Sequence, residues 1–277
     1  MARYESPYDP SNAPKDLQFI TYEKKGHVAY VTINRPEVRN ALHSYAYVEL
    51  RSCWRDIGLD PDIYVGIFTG TGDAFCAGRD IKFLAKYQAE GKRTPHEDPN
   101  SPIFHWGGGG QPQDVNLEKP LIAAINGFAV GVGLNLILQC QLRVMAEGAW
   151  LGDQHTNVGR LGAPHEMYAA MPRTIAAYMT LCNGRLGAQE CLQHSLVNKV
   201  VPRDQLMPAA EQLADMICQS SPLAVQAAVR LYRLTASFPP SLASYARHLD
   251  QEIAETDDGA EGSRAFREKR RPQWSVR

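Results

Sequence analysis

A segment in the second half of the chain, GDQHTNVGRLGAPHEM (residues 152–167), gathers side chains that can move protons. It contains two histidines, His155 and His165, and two acids, Asp153 and Glu166. Histidine suits proton transfer near neutral pH, and a nearby carboxylate fixes its tautomer and raises its basicity. The spacing matches neither HExxH nor a comparable ligand pattern, so we expect no metal here. The segment instead indicates acid–base chemistry.

Two other segments place glycines and small residues between a strand-like run and a helix-like run: CAGRDI (residues 76–81) and NGFAVGVGLNL (residues 126–136). Such a turn leaves unpaired backbone N–H groups at the helix start, with the positive end of the helix dipole behind them. Two such turns facing one point could stabilise negative charge developing on a carbonyl or thioester oxygen. A glycine after a strand is more often only a tight turn. Neither segment has the spacing of a nucleotide-binding loop.

Composition sets the broad class. The chain has 277 residues with 44% apolar content, enough for one large core or a core with a smaller appendage. The net charge of −1 gives no overall attraction to nucleic acid or to an anionic membrane. The six cysteines form no CxxC pair, which predicts reduced, structural thiols.

The N-terminus, MARYESPYDPSNAPKD, is polar and rich in proline, unlike the apolar core of a secretory signal. No sequence window approaches the roughly 18 uninterrupted apolar residues of a membrane span. We therefore expect a cytoplasmic protein.

Hydrophobic patterning predicts the elements that position these segments. Alternating runs at residues 19–22 and 28–33 predict a hairpin, and helical spacing from 41 to 57 predicts a helix. Short apolar runs predict buried strands at residues 64–70, 121–125 and 142–146. A helical pattern at 133–139 lies between the last two strands, and this alternation favours an α/β fold with parallel pairing. A Gly- and Pro-rich stretch of about thirty residues around residue 100 predicts a long loop.

Beyond Met171 the pattern is wholly helical, with helices predicted at residues 174–182, 188–194, 206–218, 222–235 and 242–255. We therefore divide the chain into an N-terminal extension (1–15), a β-rich core (16–200) and a C-terminal helical region (201–277). The tail at residues 263–277 carries six basic residues against one acid. It suits contact with an anionic group, or it is simply solvated.

Five segments together resemble the crotonase (enoyl-CoA hydratase/isomerase) superfamily in their order and spacing. They are INRPEVRNAL, GTGDAFCAGRDI, KPLIAAINGFAVGVGLNL, NGRLGAQECLQHSLVNKVV and AFREKRRPQW, and the resemblance runs from about residue 16 to residue 274. It implies a spiral core of ββα turns, a C-terminal helical oligomerisation region that forms a homotrimer or a dimer of trimers, and acyl-CoA thioester substrates. Coenzyme A then enters as part of the substrate, with no separate cofactor.

The resemblance also implies site residues. The oxyanion-binding donors would be the backbone N–H groups of Arg79 and Val132. Most family members carry glycine where this chain has Val132, which implies a narrower or displaced acyl site. Residues implied to line the substrate pocket, mainly through their main chain, are Val38, Arg39, Asp80, Ile81, Lys82 and Gly131. In addition, His105 would face the acyl group from the long loop, and Lys269 would approach the CoA phosphates.

The chain departs from the family's hydratases at both catalytic glutamates. Asn135 stands where the helix start has one glutamate, and His155 stands where the GQPE-like segment has the other. Asparagine cannot take a proton, so ordinary hydration by two glutamates, and simple double-bond isomerisation, lose support. Some members that cleave carbon–carbon bonds of β-diketones are similar, with a histidine followed about ten residues later by an acid. Glu166 fits that position, although gap placement could equally align Ala163, Pro164 or His165.

The leading hypothesis is a crotonase-type acyl-CoA enzyme with His155 as general base, Glu166 orienting it, and Asn135 placing the acyl group or water. The reaction would be an unusual hydration, a carbon–carbon bond hydrolysis or a thioester hydrolysis. The rival hypothesis is a non-catalytic acyl-CoA binding or assembly subunit. RNA contact through the basic tail has precedent in the family, but we expect no nucleic-acid partner and no membrane partner.

Overall fold

The computed structural model describes residues 11, 13–95, 98, 100–101, 110–162, 164–236, 244–245, 248 and 251–273. Its strands are β1 (Ile20–Lys25), β2 (Val28–Ile33), β3 (Val65–Gly70), β4 (Ala74–Cys76), β5 (Leu121–Ile125), β6 (Phe128–Val130), β7 (Leu142–Ala146), β8 (Trp150–Gly152), β9 (Arg185–Gly187) and β10 (Lys199–Val201). Its helices are α1 (Ser44–Leu59), α2 (Ile81–Ala89), α3 (Val132–Leu138), α4 (Pro164–Ala170), α5 (Arg173–Cys182), α6 (Ala188–Gln193), α7 (Leu206–Cys218), α8 (Pro222–Ala236) and α9 (Asp257–Glu268).

The strands form a large and a small sheet. The large sheet has the order β1-β2-β3-β5-β7-β10, and only its first pair, the β1–β2 hairpin, is antiparallel. The small sheet has the order β4-β6-β8-β9. A strand of the large sheet is followed directly by a strand of the small sheet in β3–β4, β5–β6 and β7–β8. This repeat, with α2 and α3 after the first two pairs, is the predicted spiral of ββα turns.

The core fills the space between the large sheet, the small sheet and α1. Trp54 of α1 packs edge-to-face on Phe68 of β3 with ring centroids 5.1 Å apart, and Phe68 packs on Phe75 of β4 at 5.0 Å. All three side chains are fully buried. Burial of such large apolar surfaces is the main stabilising term for a domain of this size.

The opposite face of the large sheet is covered by α7. Leu206, Ala210 and Ala214 of α7 are buried against Ile67 and Ile122 of the sheet. The structure therefore places a core helix on the C-terminal side of the division that we set at residue 200. Strand β10 lies at that division and pairs with β7.

Most predicted elements are confirmed. The hairpin, the three buried strands and the helices at α1, α3, α5, α6, α7 and α8 lie within a few residues of their predicted bounds. Of the predicted helix at 242–255, residues 244–245, 248 and 251–254 are described and helical, and the others except 255 lie outside the described residues. Residues 1–10 of the predicted extension also lie outside the described residues. Patterning missed the three-residue strands and α9. Among the described residues, no helix is long and apolar enough to cross a membrane.

Helix α3 is held at its C-terminus by the buried side chain of Arg143 on β7. The guanidinium donates from Nε to the Ile137 carbonyl at 2.9 Å, from Nη2 to Leu138 at 2.8 Å and from Nη1 to Leu196 at 3.1 Å. The last carbonyls of a helix lack partners within the helix, and a cation there also favours the negative end of the dipole. Arg143 thus fixes the short helix whose other end faces the candidate site.

We expect Arg143→Met to lower the free energy of unfolding by about 3 kcal/mol, because it removes three buried hydrogen bonds from a charged donor to backbone carbonyls. Urea unfolding at neutral pH measures the loss. The matched control is Arg203→Met: Arg203 is half-exposed and pairs with the exposed Asp73, so it should cost less than about 1 kcal/mol. Equal losses for the two variants would contradict a capping role for Arg143.

Candidate active site

The turn after β4 is held against the segment that precedes α1. The Ala77 N–H donates to the Arg39 carbonyl at 3.0 Å, the Leu42 N–H to the Gly78 carbonyl at 2.8 Å, and the Asp80 N–H to the Leu42 carbonyl at 2.8 Å. This pattern is a parallel bridge between Leu42 and Arg79. In this bridge Gly78 and Asp80, the neighbours of Arg79, make the hydrogen bonds to Leu42. The N–H of Arg79 therefore points away from Leu42.

The start of α3 lies directly against the same turn. A methyl group added to Gly133 would be 2.7 Å from both Cβ and the carbonyl oxygen of Cys76, and one added to Gly78 would be 3.0 Å from the Val130 carbonyl oxygen. These distances leave no room for a side chain at either glycine. The two glycine-flanked segments singled out by the sequence are therefore in contact, although they lie in different ββα turns.

His155 lies at the N-terminus of α3. A methyl group on Gly131, the N-cap residue, would be 3.3 Å from Cε1 and 3.4 Å from Nε2 of His155. Gly131 has φ +56°, a conformation that glycine adopts without strain. The imidazole thus lies against Gly131, at the N-terminus of α3.

The partner of His155 is Asp153. Nδ1 of the imidazole is 2.5 Å from Oδ1 of the carboxylate, and the two side chains are 25% and 3% exposed. An ionised carboxylate at Nδ1 holds the imidazole proton there and leaves the Nε2 lone pair available as a base. Oδ2 of Asp153 is buried and has no hydrogen-bond partner among the described residues. The carboxylate therefore acts mainly on the imidazole.

Gln154 explains how residues two apart in sequence can face each other. Its φ is +63°, a left-handed conformation that is uncommon for residues other than glycine, and it reverses the chain between Asp153 and His155. Its side chain is anchored on both sides: Nε2 donates to the Asn183 carbonyl at 2.7 Å, and Oε1 accepts from Asn157 at 3.0 Å. Backbone strain of this kind is often concentrated at functional sites.

A second glycine encloses the imidazole from the other side. A methyl group on Gly162 would lie 2.3 Å from Nδ1 of His155, so only glycine fits there. Gly162 has φ +67°. The ring is therefore held between Gly131 and Gly162, with Asp153 at one edge.

Glu166 does not make the contact that we predicted. Its hydrogen bond is to the side chain of Gln113, with Asp114 nearby, whereas the carboxylate on His155 Nδ1 is Asp153. The prediction that Glu166 orients His155 is thus corrected, because the carboxylate in contact with the imidazole is that of Asp153. Burial raises the pKa of Glu166 to about 7, the Asp114 charge adds to the rise, and the Gln113 hydrogen bond opposes it. Its Oε2 is buried without a partner among the described residues.

The remaining residues predicted to act near the carbonyl lie on α3 and α4. Asn135 is buried in the first turn of α3, and its N–H donates to the Gly131 carbonyl at 3.1 Å. Val132 packs its side chain against the main hydrophobic core. His165, the alternative base, lies on α4 beside Glu166, while His155 is the histidine that reaches Gly131.

The predicted substrate-binding residues fall on both sides of the Leu42–Arg79 bridge. Val38 ends a 3₁₀ turn, and Arg39 follows it with φ +54°. The side chain of Asp80 is buried and engaged, since it accepts from the Phe83 N–H at 3.0 Å and pairs with Arg35 at 3.1 Å. It caps α2. The main chain of Asp80 is engaged too, since its N–H donates to the Leu42 carbonyl at 2.8 Å and its carbonyl accepts from the Leu84 N–H at 3.1 Å.

Three other predicted residues take simpler positions. Ile81 and Lys82 form the first turn of α2, with Lys82 exposed. Lys269 is exposed at the C-cap of α9. His105 lies outside the described residues. Within the described chain, no group of three or more His, Cys, Asp or Glu side chains is placed to hold a metal ion.

Sequence reasoning underrated Asp153 and did not foresee the contact of α9 with this site. The available signal for Asp153 was its position two residues from His155 with a side chain able to bridge a tight turn. The signal for α9 was weaker, because the sequence shows only the glycines Gly159, Gly259 and Gly262. The structure shows that a methyl group added to any of them would meet backbone.

Comparison with known proteins extends this description. The model of the enoyl-CoA hydratase/isomerase family matches residues 23–277. The chain is 34% identical over 260 residues to (E)-benzylidenesuccinyl-CoA hydratase from Thauera aromatica, covering 92% of this chain and 98% of that protein. It is 31% identical over 264 residues to carnitinyl-CoA dehydratase from Shigella flexneri, covering 92% and 97%.

Solved structures give the same fold. The crystal structure of carnitinyl-CoA hydratase from Mycobacterium avium superposes with a TM-score of 0.79 at 29% identity, covering 94% of this chain and 100% of that chain. The similarity therefore includes both sheets and the C-terminal helices. It confirms the predicted fold class.

The raised pKa of Glu166 predicts a pH-dependent stability. In the unfolded chain the group titrates near its ordinary value of 4.5, whereas in the folded chain it holds its proton to about pH 7. Stability therefore falls as pH rises through this window, by roughly 3 kcal/mol for Glu166 alone, and is constant above it. We expect Glu166→Gln, measured by urea unfolding, to match the wild type near pH 4.5 and to be more stable at pH 8. The control is Glu147→Gln on an exposed turn, and a pH-independent effect of Glu166→Gln would contradict the prediction.

Proposed function

The chain belongs to the enoyl-CoA hydratase/isomerase (crotonase) family, and from this premise we propose that it is an acyl-CoA enzyme with a histidine base. The reaction that we favour is the reversible addition of water to the double bond of an enoyl-CoA thioester. His155 takes the place of a catalytic glutamate, and Asp153 orients it. The substrate brings coenzyme A, and the chemistry needs no other cofactor.

One observation carries this proposal: the imidazole of His155 is fixed between a buried carboxylate at Nδ1 and the N-terminus of α3 at Nε2. A base that can accept a proton therefore lies beside backbone N–H groups that can bind an oxyanion. General acid–base catalysis and oxyanion stabilisation together supply most of the barrier reduction in reactions that pass through an enolate.

The first step follows from this arrangement. Nε2 of His155 takes a proton from water as the water oxygen bonds to the β carbon. The π pair of the Cα=Cβ bond moves between Cα and the carbonyl carbon, and the carbonyl π pair moves to the thioester oxygen, which the N–H groups of Arg79 and Val132 hold as an enolate oxygen. The proton on His155 then passes to the α carbon, which restores the thioester and the neutral imidazole. Each proton and electron pair is thereby accounted for.

Asn135 and Val132 define the space around the acyl group. The Asn135 carboxamide can donate or accept a hydrogen bond but cannot take a proton, so we assign it to positioning water or a polar acyl substituent. The side chain of Val132 is half-buried and packs in part against the main hydrophobic core, so it narrows the pocket above its own N–H only with the part that the core leaves exposed. Two relatives are named for their substrates, (E)-benzylidenesuccinyl-CoA hydratase and carnitinyl-CoA dehydratase.

A second reaction remains compatible with the same residues. Water activated by His155 could attack the thioester carbonyl, or a β-keto carbon, instead of the β carbon of an enoyl group. The oxyanion would then be a tetrahedral intermediate held by the same two N–H groups. The alternative of a non-catalytic acyl-CoA binding subunit would keep the pocket without turnover.

We also propose an oligomer, a homotrimer or a dimer of trimers, in the cytoplasm. Large apolar side chains that are exposed in the single chain support an interface, because extended apolar surface on a folded domain usually marks a contact. They lie on α5, α7 and α8 and include Tyr178, Leu181, Met216, Leu223, Leu231 and Tyr232.

The test is a panel of crotonyl-CoA, other enoyl-CoAs and β-ketoacyl-CoAs, with enoyl-thioester absorbance and free thiol followed together. We expect loss of enoyl absorbance without thiol release. His155→Ala should lower kcat by about 10² to 10⁴-fold, because it removes the base. Asp153→Asn should lower it by about 10-fold or more, since an amide cannot hold the imidazole in the same tautomer.

Glu166→Gln is the control, because Glu166 contacts Gln113 and not His155, and its kcat should stay within about 3-fold of the wild type. Thiol release that depends on His155 would replace hydration with hydrolysis. CoA-thioester binding with no turnover across the panel would favour the non-catalytic alternative. Full activity of His155→Ala would refute the proposed base.

A further inference from the structure

Helix α9, near the C-terminus, packs on the 3₁₀ turn that carries His155. This turn spans Thr156–Val158, and His155 is its N-cap residue. A methyl group added to Gly262 of α9 would lie 2.5 Å from the Gly159 nitrogen and from the Val158 carbonyl carbon. The backbones of helix and turn are therefore in direct contact at Gly262.

The contact is tight from the other side as well. A methyl group on Gly159 would lie 2.6 Å from the Asp258 carbonyl oxygen and 2.9 Å from the Gly259 Cα. Gly159 has φ +67° and ends the 3₁₀ turn. Glycine is thus required on both partners, and the turn can move little while α9 is in place.

The turn transmits this constraint to His155 through the backbone. The carbonyl of His155 accepts from the Val158 N–H at 3.0 Å and from the Arg160 N–H at 3.1 Å. A methyl group on Gly262 would meet the peptide bond that joins Val158 to Gly159, which lies between those two donors in the chain. A shift of the turn would therefore rotate the His155 backbone and carry the imidazole away from Asp153 and Gly131.

Helix α9 is itself locked by a buried carboxylate. Glu261, next to Gly262, is 6% exposed at its side chain and binds Arg270 through Oε1 at 2.6 Å and Oε2 at 3.0 Å. Arg264 Nε donates to the same carboxylate at 3.0 Å, and the Gln273 N–H at 2.8 Å. These donors hold the pKa of Glu261 well below its usual range. Residues 270–273, which follow α9, are thereby tied back to the helix.

We propose that α9 is a positioning element for the proton-transferring histidine, with Gly262 as the positioning residue and the Glu261–Arg270 pair as its anchor. This inference rests on the proposed role of His155. It assigns control over the geometry of the base to a helix in the region for which the sequence predicted oligomerisation, CoA-phosphate contact or solvation.

The experiment compares Gly262→Ala with Ser263→Ala on the full-length protein. Both place alanine in α9, but only the first puts a methyl group into the turn. We expect Gly262→Ala to lower kcat by about 10 to 100-fold while KM changes by less than about 3-fold, because the base moves and the substrate pocket does not. Ser263→Ala should leave both constants within about 2-fold.

A double-mutant cycle separates positioning from general destabilisation. In the His155→Ala background, Gly262→Ala should cause no further loss of kcat, because its effect acts through the imidazole. Additive losses would overturn the proposal. If Gly262→Ala does not fold, Arg270→Met replaces it, since this variant loosens the anchor of α9 without adding atoms at the turn, and the same non-additivity with His155→Ala is expected.

Hydrogen exchange keeps the test independent of activity. We expect the amides of residues 153–162 to exchange faster in Gly262→Ala than in Ser263→Ala. If the wild type turns over no CoA thioester, the proposed function fails, yet faster exchange would still support α9 as the brace of this turn. Unchanged exchange together with unchanged kcat would overturn the inference.

Discussion

The placement of one imidazole depends on positions where the chain permits no side chain. Gly131 and Gly162 flank the His155 ring, and Gly133 and Gly78 allow the start of α3 to meet the turn after β4. A single added methyl at most of these positions would fall within about 3 Å of another atom, which packed structures do not tolerate without a shift. Close backbone approach is thus the constraint that brings two ββα turns and a 3₁₀ turn to one point. Contacts from the rest of the fold restrain the segments that meet there.

The restraint comes from every side of the site. Arg143 fixes the far end of α3, the Gln154 side chain ties the Asp153–His155 reversal to the end of α5, and the Leu42–Arg79 bridge holds the turn after β4. Each of these contacts uses a buried or half-buried polar group satisfied by backbone, which gives a fixed geometry that surface contacts cannot. Catalytic groups that must lie within a fraction of an ångström of a productive arrangement need this kind of support.

The elements that could be predicted from the sequence are those whose apolar residues recur at a regular spacing, and those that end in recognisable turns. Buried strands such as β5 and β7 and the helix α7 carry apolar residues at the spacing of their element, so their bounds were close. Strands β4, β6 and β8 have three residues each, too few for any period, and α9 buries glycine and alanine where a pattern search expects large apolar side chains. The Asp153–His155 contact was not predictable for a different reason. It depends on the left-handed backbone of Gln154, which glutamine rarely adopts and which tertiary hydrogen bonds impose.

The sequence predicts that Asn135 and His155 stand where the family's hydratases have two glutamates, and this exchange would change the charge of the site in a consistent direction. A carboxylate base becomes neutral when it takes a proton, whereas a neutral imidazole becomes a cation, so His155 would gain positive charge as the substrate becomes an enolate. At an effective dielectric of about 20, unit charges of opposite sign 4 Å apart attract by roughly 4 kcal/mol. Asn135 removes a second negative charge that would oppose the enolate. Asp153 stabilises the imidazolium from behind, at the edge of the ring away from α3. Compared with a site of two glutamates, the proposed site would therefore have one acid–base group fewer but greater charge complementarity to an anionic intermediate, which is the property that a preorganised oxyanion site uses.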